Sequence, residues 1–320
     1  MNARRRGPLA ATLVGAALWT ASPAFATDPP LVEVAAAAGL DFRHWNGRTG
    51  RLYDAEVLAP GLALFDYDGD HDLDLLVLQG NRLDLQGKPV DPPPSLAEAS
   101  SLGAVLYANR GTEHGLPRFV DVTARSGLTE HGYGMGVATG DIDNDGNVDL
   151  LATRLDGATL WRNRGDGTFA DESAARGLAV TGWATSATFF DADRDGWLDL
   201  YVARYVDWSP ALDRACFDSS SRPDYCGPLS YRPLPDLYFH NRGDGTFEEA
   251  SAASGIGGKA AAGLGVAAAD LDRDGWQDLY VANDATANFF WRNRGDGTFE
   301  EVAVERGCAD RRNSFTRERG

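Results

Sequence analysis

The chain has 320 residues with 30 Lys and Arg against 47 Asp and Glu, a formal net charge of −17. So acidic a surface excludes binding to nucleic acid or anionic lipid by charge alone, and it suits a protein that gathers cations. Its length allows one large core or two domains.

At the N-terminus Arg4, Arg5 and Arg6 precede a short apolar run, and Ala24-Phe25-Ala26 follows it. The pattern predicts a secretory signal peptide over residues 1–26, the run being short for a membrane span. Cleavage would take the charge from −17 to −20, because the three arginines leave and no acid leaves with them. Export also makes a local disulfide between Cys216 and Cys226 the expected state of those two cysteines; Cys308 has no evident partner.

Residues 27–308 are organised by repeats. FDYDGDHDLDLLVL from Phe65, GDIDNDGNVDLLAT from Gly140, FDADRDGWLDLYVA from Phe190 and ADLDRDGWQDLYVA from Ala269 align. Taking the first aspartate as position 1, each has acids at positions 1, 3, 5 and 9. The four sets are Asp66, Asp68, Asp70 and Asp74; Asp141, Asp143, Asp145 and Asp149; Asp191, Asp193, Asp195 and Asp199; and Asp270, Asp272, Asp274 and Asp278. A second motif follows each loop, beginning NRG at Asn109, Asn163, Asn241 and Asn293. From Asn to the next acidic loop the distance is 32, 28 and 29 residues, whereas from the first Asp to its Asn it is 43, 22, 50 and 23. The length variation therefore sits in two inserts, residues 82–105 and about 207–235.

Short apolar runs enter and leave both motifs, so each unit of about 50 residues reads as four strands, A to D. The acidic loop joins A to B and the NRG turn joins C to D. Four-stranded units repeated at this period predict an all-β fold, a β-propeller with about four complete blades. Topology then places the acidic loops and NRG turns on one face and both inserts on the other. The segment LVEVAAAAGL at 31–40 resembles a D strand without its own A, B and C; residues 309–320 read as an irregular tail.

Four carboxylates in nine residues repel, by roughly 4 kcal/mol per pair at 4 Å and an effective dielectric of 20. Calcium, which takes 6–8 oxygen ligands, would neutralise them. Glycine at position 6 allows the sharp turn in Gly146, Gly196 and Gly275, while the first loop has His71 there. An EF-hand is excluded, because position 12 is Val77, Ala152, Val202 or Val281 rather than an acid, and the flanks are strand-like. The Arg-Gly-Asp tripeptides at 164–166, 242–244 and 294–296 fit hairpin turns better than adhesion ligands. The five histidines, His44, His71, His114, His131 and His240, form no catalytic motif, so no enzyme is expected.

The loops resemble the FG-GAP/VCBS repeats of integrin alpha subunits. With the NRG motif and Asp-Tyr-Cys-Gly-Pro at 224–228, the chain resembles the cartilage acidic protein/ASPIC-UnbV family over roughly residues 31–308. The resemblance implies a calcium-binding propeller, usually of seven blades, in an extracellular binding or adhesion module. The four units present would then be an incomplete ring, a four-bladed closure being the alternative. The expected function is a secreted, periplasmic or cell-surface module with structural Ca²⁺, whose partner is an extracellular protein or glycan. A propeller-based carbohydrate-active lyase or hydrolase, or a non-functional truncated fragment, are the rival readings.

Overall fold

The computed structural model describes residues 32–84, 89–90 and 103–309. The signal segment at 1–26, the proline run at 92–94 and all but Ala309 of the tail lie outside them. By its contacts the chain divides into Met1–Val34 and Ala35–Gly320, and every sheet lies in the second unit.

Sixteen of the strands form four consecutive antiparallel sheets, each a simple meander from A to D. Blade I is β1 (Leu62–Phe65), β2 (Asp74–Val77), β5 (Val105–Glu113) and β6 (Leu116–Asp121). Blade II is β7 (Gly134–Gly140), β8 (Asp149–Arg154), β9 (Gly157–Asn163) and β10 (Phe169–Asp171). Blade III is β11 (Ala184–Phe190), β12 (Asp199–Arg204), β15 (Leu237–Asn241) and β16 (Phe247–Glu249). Blade IV is β17 (Gly263–Ala269), β18 (Asp278–Asn283), β19 (Phe289–Asn293) and β20 (Phe299–Glu301). Two small hairpins, β3 (Arg82–Leu83) with β4 (Pro89–Val90) and β13 (Cys216–Phe217) with β14 (Pro223–Asp224), belong to the two inserts.

The blades stack through both faces, and this explains the unbroken apolar runs after each acidic loop. Leu150 and Leu151 are adjacent on β8, so their side chains point to opposite faces. Leu150 joins Phe65, Leu76, Trp161 and Phe169 between blades I and II. Leu151 joins Leu160, Leu200, Phe239 and Phe247 between II and III. Tyr201, Leu279, Trp291 and Phe299 fill the space between III and IV. Blade I has no described blade on its other side, and there Leu62 and Leu64 are 61% and 56% exposed.

Each junction is fastened in the same way. A turn, which follows strand D in the last three cases, ends in a left-handed glycine, Gly39, Gly127, Gly177 or Gly255, with φ of 74° to 88°. A Cβ there would meet the carbonyl oxygen of Phe119, Phe169, Phe247 or Phe299 at 3.2 Å or less, so only glycine allows the approach. Each phenylalanine lies on the next blade's strand D. The segment at 31–40, expected as a D strand, carries no strand among its described residues; residues 35–39 form a turn. It docks on blade I nonetheless, with Phe119 N–H donating to Ala38 O at 2.8 Å.

The inserts occupy the B–C connections, opposite the acidic loops in the meander. Cys216 and Cys226 form a disulfide, which ties the blade III insert together. Beneath it Tyr53, Tyr133, Trp183, Tyr205, Trp208 and Tyr231 form one buried cluster, to which the segment before β1, blades II and III and the insert itself (Trp208 and Tyr231) all contribute. Trp208 packs edge-on to Tyr53 with ring centroids 5.3 Å apart and lies 5.6 Å from Trp183. Among the described residues no helix is long and apolar enough to cross a membrane.

Asp54 enters this cluster 7% exposed, and its Oδ2 has no hydrogen-bond partner. Burial, then the charges of Asp213 and Asp284, pushes its pKa up from 3.8 to about 7. A carboxyl whose folded pKa exceeds its unfolded one binds more protons when folded. Its stabilising contribution is therefore complete below 3.8 and lost as pH rises towards 7. Asp54→Asn should accordingly raise the melting temperature by several degrees at pH 8 and much less at pH 4.5. Equal gains at both pH values in calorimetry would refute the assignment.

Candidate metal centres

The four acidic loops share one backbone path. Positions 4 and 6 are left-handed in every copy: Gly69 and His71, Asn144 and Gly146, Arg194 and Gly196, Arg273 and Gly275. His71 thus adopts the conformation that glycine takes elsewhere, at a steric cost of roughly 1–2 kcal/mol. The turn is held by its own acids. The position-6 N–H donates to the position-1 carboxylate at 2.8–3.1 Å in all four. The position-7 N–H donates to position 5 at 2.8–2.9 Å.

The carboxylates converge in threes. Ligand oxygens of Asp66, Asp68 and Asp70 lie within 4.8 Å of one another, as do those of Asp141, Asp143 and Asp149, of Asp191, Asp193 and Asp195, and of Asp270, Asp272 and Asp278. The fourth acid of each set, Asp74, Asp145, Asp199 or Asp274, stands outside its group. Within the loops Asp143 Oδ1 and Asp191 Oδ1 are buried with no hydrogen-bond partner. Leaving such an atom dry costs about 1–3 kcal/mol, more when charged. A hard divalent cation with oxygen ligands fits this donor set.

The position-9 aspartates have a further duty that the repeat pattern does not disclose. Each sits at the start of strand B, 1% exposed or less. One oxygen accepts the N–H of the position-2 residue: Tyr67 to Asp74 at 2.8 Å, Ile142 to Asp149 at 3.2 Å, Ala192 to Asp199 at 3.3 Å and Leu271 to Asp278 at 3.1 Å. The other accepts the N–H of the NRG asparagine on strand C, at 2.7–2.9 Å. The carboxylate therefore pins strands A, B and C whether or not a cation is present. Burial pushes Asp74, Asp149 and Asp199 up to about 6, against the pull of these N–H groups.

The asparagine side chain reaches further. Asn163 Nδ2 donates to Tyr67 O of blade I at 2.9 Å, Asn241 Nδ2 to Ile142 O of blade II at 2.9 Å and Asn293 Nδ2 to Ala192 O of blade III at 2.7 Å. The NRG motif is thus a clamp between one blade and the acidic loop before it. Asn241→Ala should lower the urea midpoint by an amount equivalent to about 2–4 kcal/mol, since it strands two carbonyls and two turn N–H groups. Asn109→Ala should cost less, because that amide donates to Leu73 O within its own blade, at 3.3 Å. The Arg-Gly-Asp tripeptides lie in these C–D hairpins. Asp166, Asp244 and Asp296 each turn their carboxylate back onto the threonine two residues on.

Residues 141–202, 225–281 and 270–315 match the family model of the FG-GAP-like repeat. The matched segments are FG-GAP-like repeats. The FG-GAP matches span blades II to IV; blade I, with His71 in its loop and a long insert, falls outside them. A stretch of 49 residues is 49% identical to human cartilage acidic protein 1, amounting to 15% of this chain and 7% of that protein. Among solved structures, an Agrocybe aegerita lectin studied for its recognition of non-reducing terminal N-acetylglucosamine aligns with a TM-score of 0.38 and 18% identity, over 76% of this chain and 51% of its own. The V. cholerae biofilm matrix protein Bap1 aligns with a TM-score of 0.31 and 14% identity, over 76% of this chain and 38% of its own.

Proposed function

We propose that the chain acts outside the cytoplasm as a calcium-stabilised FG-GAP binding module without catalytic activity. The observation that carries this reading is the division of labour between the two faces. On one, the four acidic loops present convergent carboxylates beside strands they already fasten. The acids that would hold calcium are the converging trios, such as Asp66, Asp68 and Asp70 in blade I, Asp191, Asp193 and Asp195 in blade III and Asp270, Asp272 and Asp278 in blade IV, and the ion would offset their like-charge repulsion. On the other face a disulfide-tied insert rests on a buried aromatic cluster, an arrangement suited to presenting a ligand-binding loop on a rigid base. The disulfide fits an oxidising, extracytoplasmic setting. The ligand would be an extracellular protein or glycan.

The test has two arms. Calcium titrated into chelator-treated protein should give saturable binding heat; its absence would overturn the metal assignment. Replacing residues 207–235 by a short turn should abolish binding to whichever immobilised glycan or extracellular protein the intact chain retains, while calcium still raises the melting temperature. Undiminished binding would move the ligand site elsewhere.

A further inference from the structure

The four acidic loops are built alike but are not equally free to receive an ion, and the difference lies in one residue pair beside them. In blade II the residue before the NRG asparagine is Arg162. Its guanidinium enters the acidic loop: Nη2 lies 2.7 Å from Asp143 Oδ2 and 2.7 Å from Asp145 Oδ2, and Nη1 lies 3.4 Å from Asp149 Oδ1. The side chain is only 12% exposed. Blade IV has arginine at the same place, Arg292, but it turns the other way, with Nη2 2.5 Å from Glu300.

Pairing across strands C and D accounts for the opposite choices. Arg292 stands directly opposite Glu300, whereas Arg162 stands opposite Ala170. With no acid across the ladder to hold it, Arg162 falls to the nearest carboxylates, those of the loop. Blades II and IV are otherwise matched. Each has an outer arginine on its position-3 aspartate, Arg176 to Asp143 at 3.2 Å and Arg306 to Asp272 at 2.9 Å. Blade I has Ala108 at the pivotal place, and its Arg110, two residues on, reaches the loop from outside, with Nη1 3.2 Å from Asp68 Oδ2 and 3.9 Å from Asp70 Oδ2. Blade III has His240 there, with Nδ1 3.1 Å from Asp199 Oδ1 and 3.8 Å from Asp193 Oδ2, so neither seats a guanidinium among three carboxylates as blade II does.

We infer that Arg162 is the built-in cation of the blade II loop, that this loop takes no calcium while the guanidinium is seated, and that residue 170 decides the matter. A guanidinium stays charged at every physiological pH and offers five donors, so it can pair with three carboxylates and offset one of their charges without desolvating an ion. An incoming calcium would have to expel it from a nearly buried seat. The inference rests on the calcium reading proposed above.

Native mass spectrometry and calorimetric titration with calcium chloride, on the full chain, provide the test. Arg162→Ala should bind one more ion than the unaltered chain. Ala170→Glu, which keeps the arginine but offers it the acid that Arg292 enjoys, should also gain one. Glu300→Ala should lose one, by releasing Arg292 towards its own loop. Equal stoichiometry in the unaltered chain, Arg162→Ala and Ala170→Glu would overturn the inference while leaving the calcium reading intact. No calcium bound by any of the four proteins would overturn both.

Discussion

Asp278→Ala should lower the melting temperature by roughly 5–15 °C even in a chelator, where no metal contributes. The carboxylate is fully buried and accepts the N–H groups of Leu271 and Asn293 at 3.1 and 2.9 Å. Alanine leaves both donors dry, at about 1–3 kcal/mol each. In a chain of this size 1 kcal/mol moves the midpoint by about 2–4 °C. Asp274→Ala is the contrast, since that exposed acid serves chiefly the Trp276 N–H of its own turn. It should leave the chelated protein nearly as stable. Equal melting losses for the two variants in chelator would show that position 9 has no strand-fastening role.

Removing calcium from the unaltered protein should have the other large effect. A site saturated at a hundred times its dissociation constant stabilises the folded state by about 2.7 kcal/mol. With several loops filled, chelation should lower the melting temperature by more than about 10 °C. Calcium should restore it, and magnesium, which demands a tighter octahedral shell, should do so poorly. An unchanged midpoint in calorimetry would remove calcium from the account of stability.

Much of this architecture is legible in the sequence because it repeats. Four loops of one spacing, four NRG motifs and the apolar runs between them give the blade, its turns and the face on which each insert lies. Cys216 and Cys226 are ten residues apart, and that proximity already suggests their bond. What escapes is whatever depends on partners remote in the chain. Asn241 reads as a turn residue, since its inter-blade acceptor Ile142 O lies 99 residues away. Asp278 reads as one more ligand, because the strand C amide it anchors is not adjacent in sequence. Arg162 reads as an ordinary strand residue; only its pairing with Ala170 rather than an acid explains where it points. The segment at 31–40 has the letters of a strand, yet it forms a turn ending in a left-handed glycine, without described A to C strands of its own to extend.

The glycine turn that meets a phenylalanine carbonyl at each junction has a consequence for how such a chain can evolve. Every unit brings one half of this contact in strand D and the other half in the turn that follows. A tandem duplication of about 50 residues would therefore arrive with a matching socket and plug, and deleting a unit would bring together two ends that already fit. Blade number can change by whole steps without a new interface having to be invented, while a glycine lost at one junction would be felt there alone.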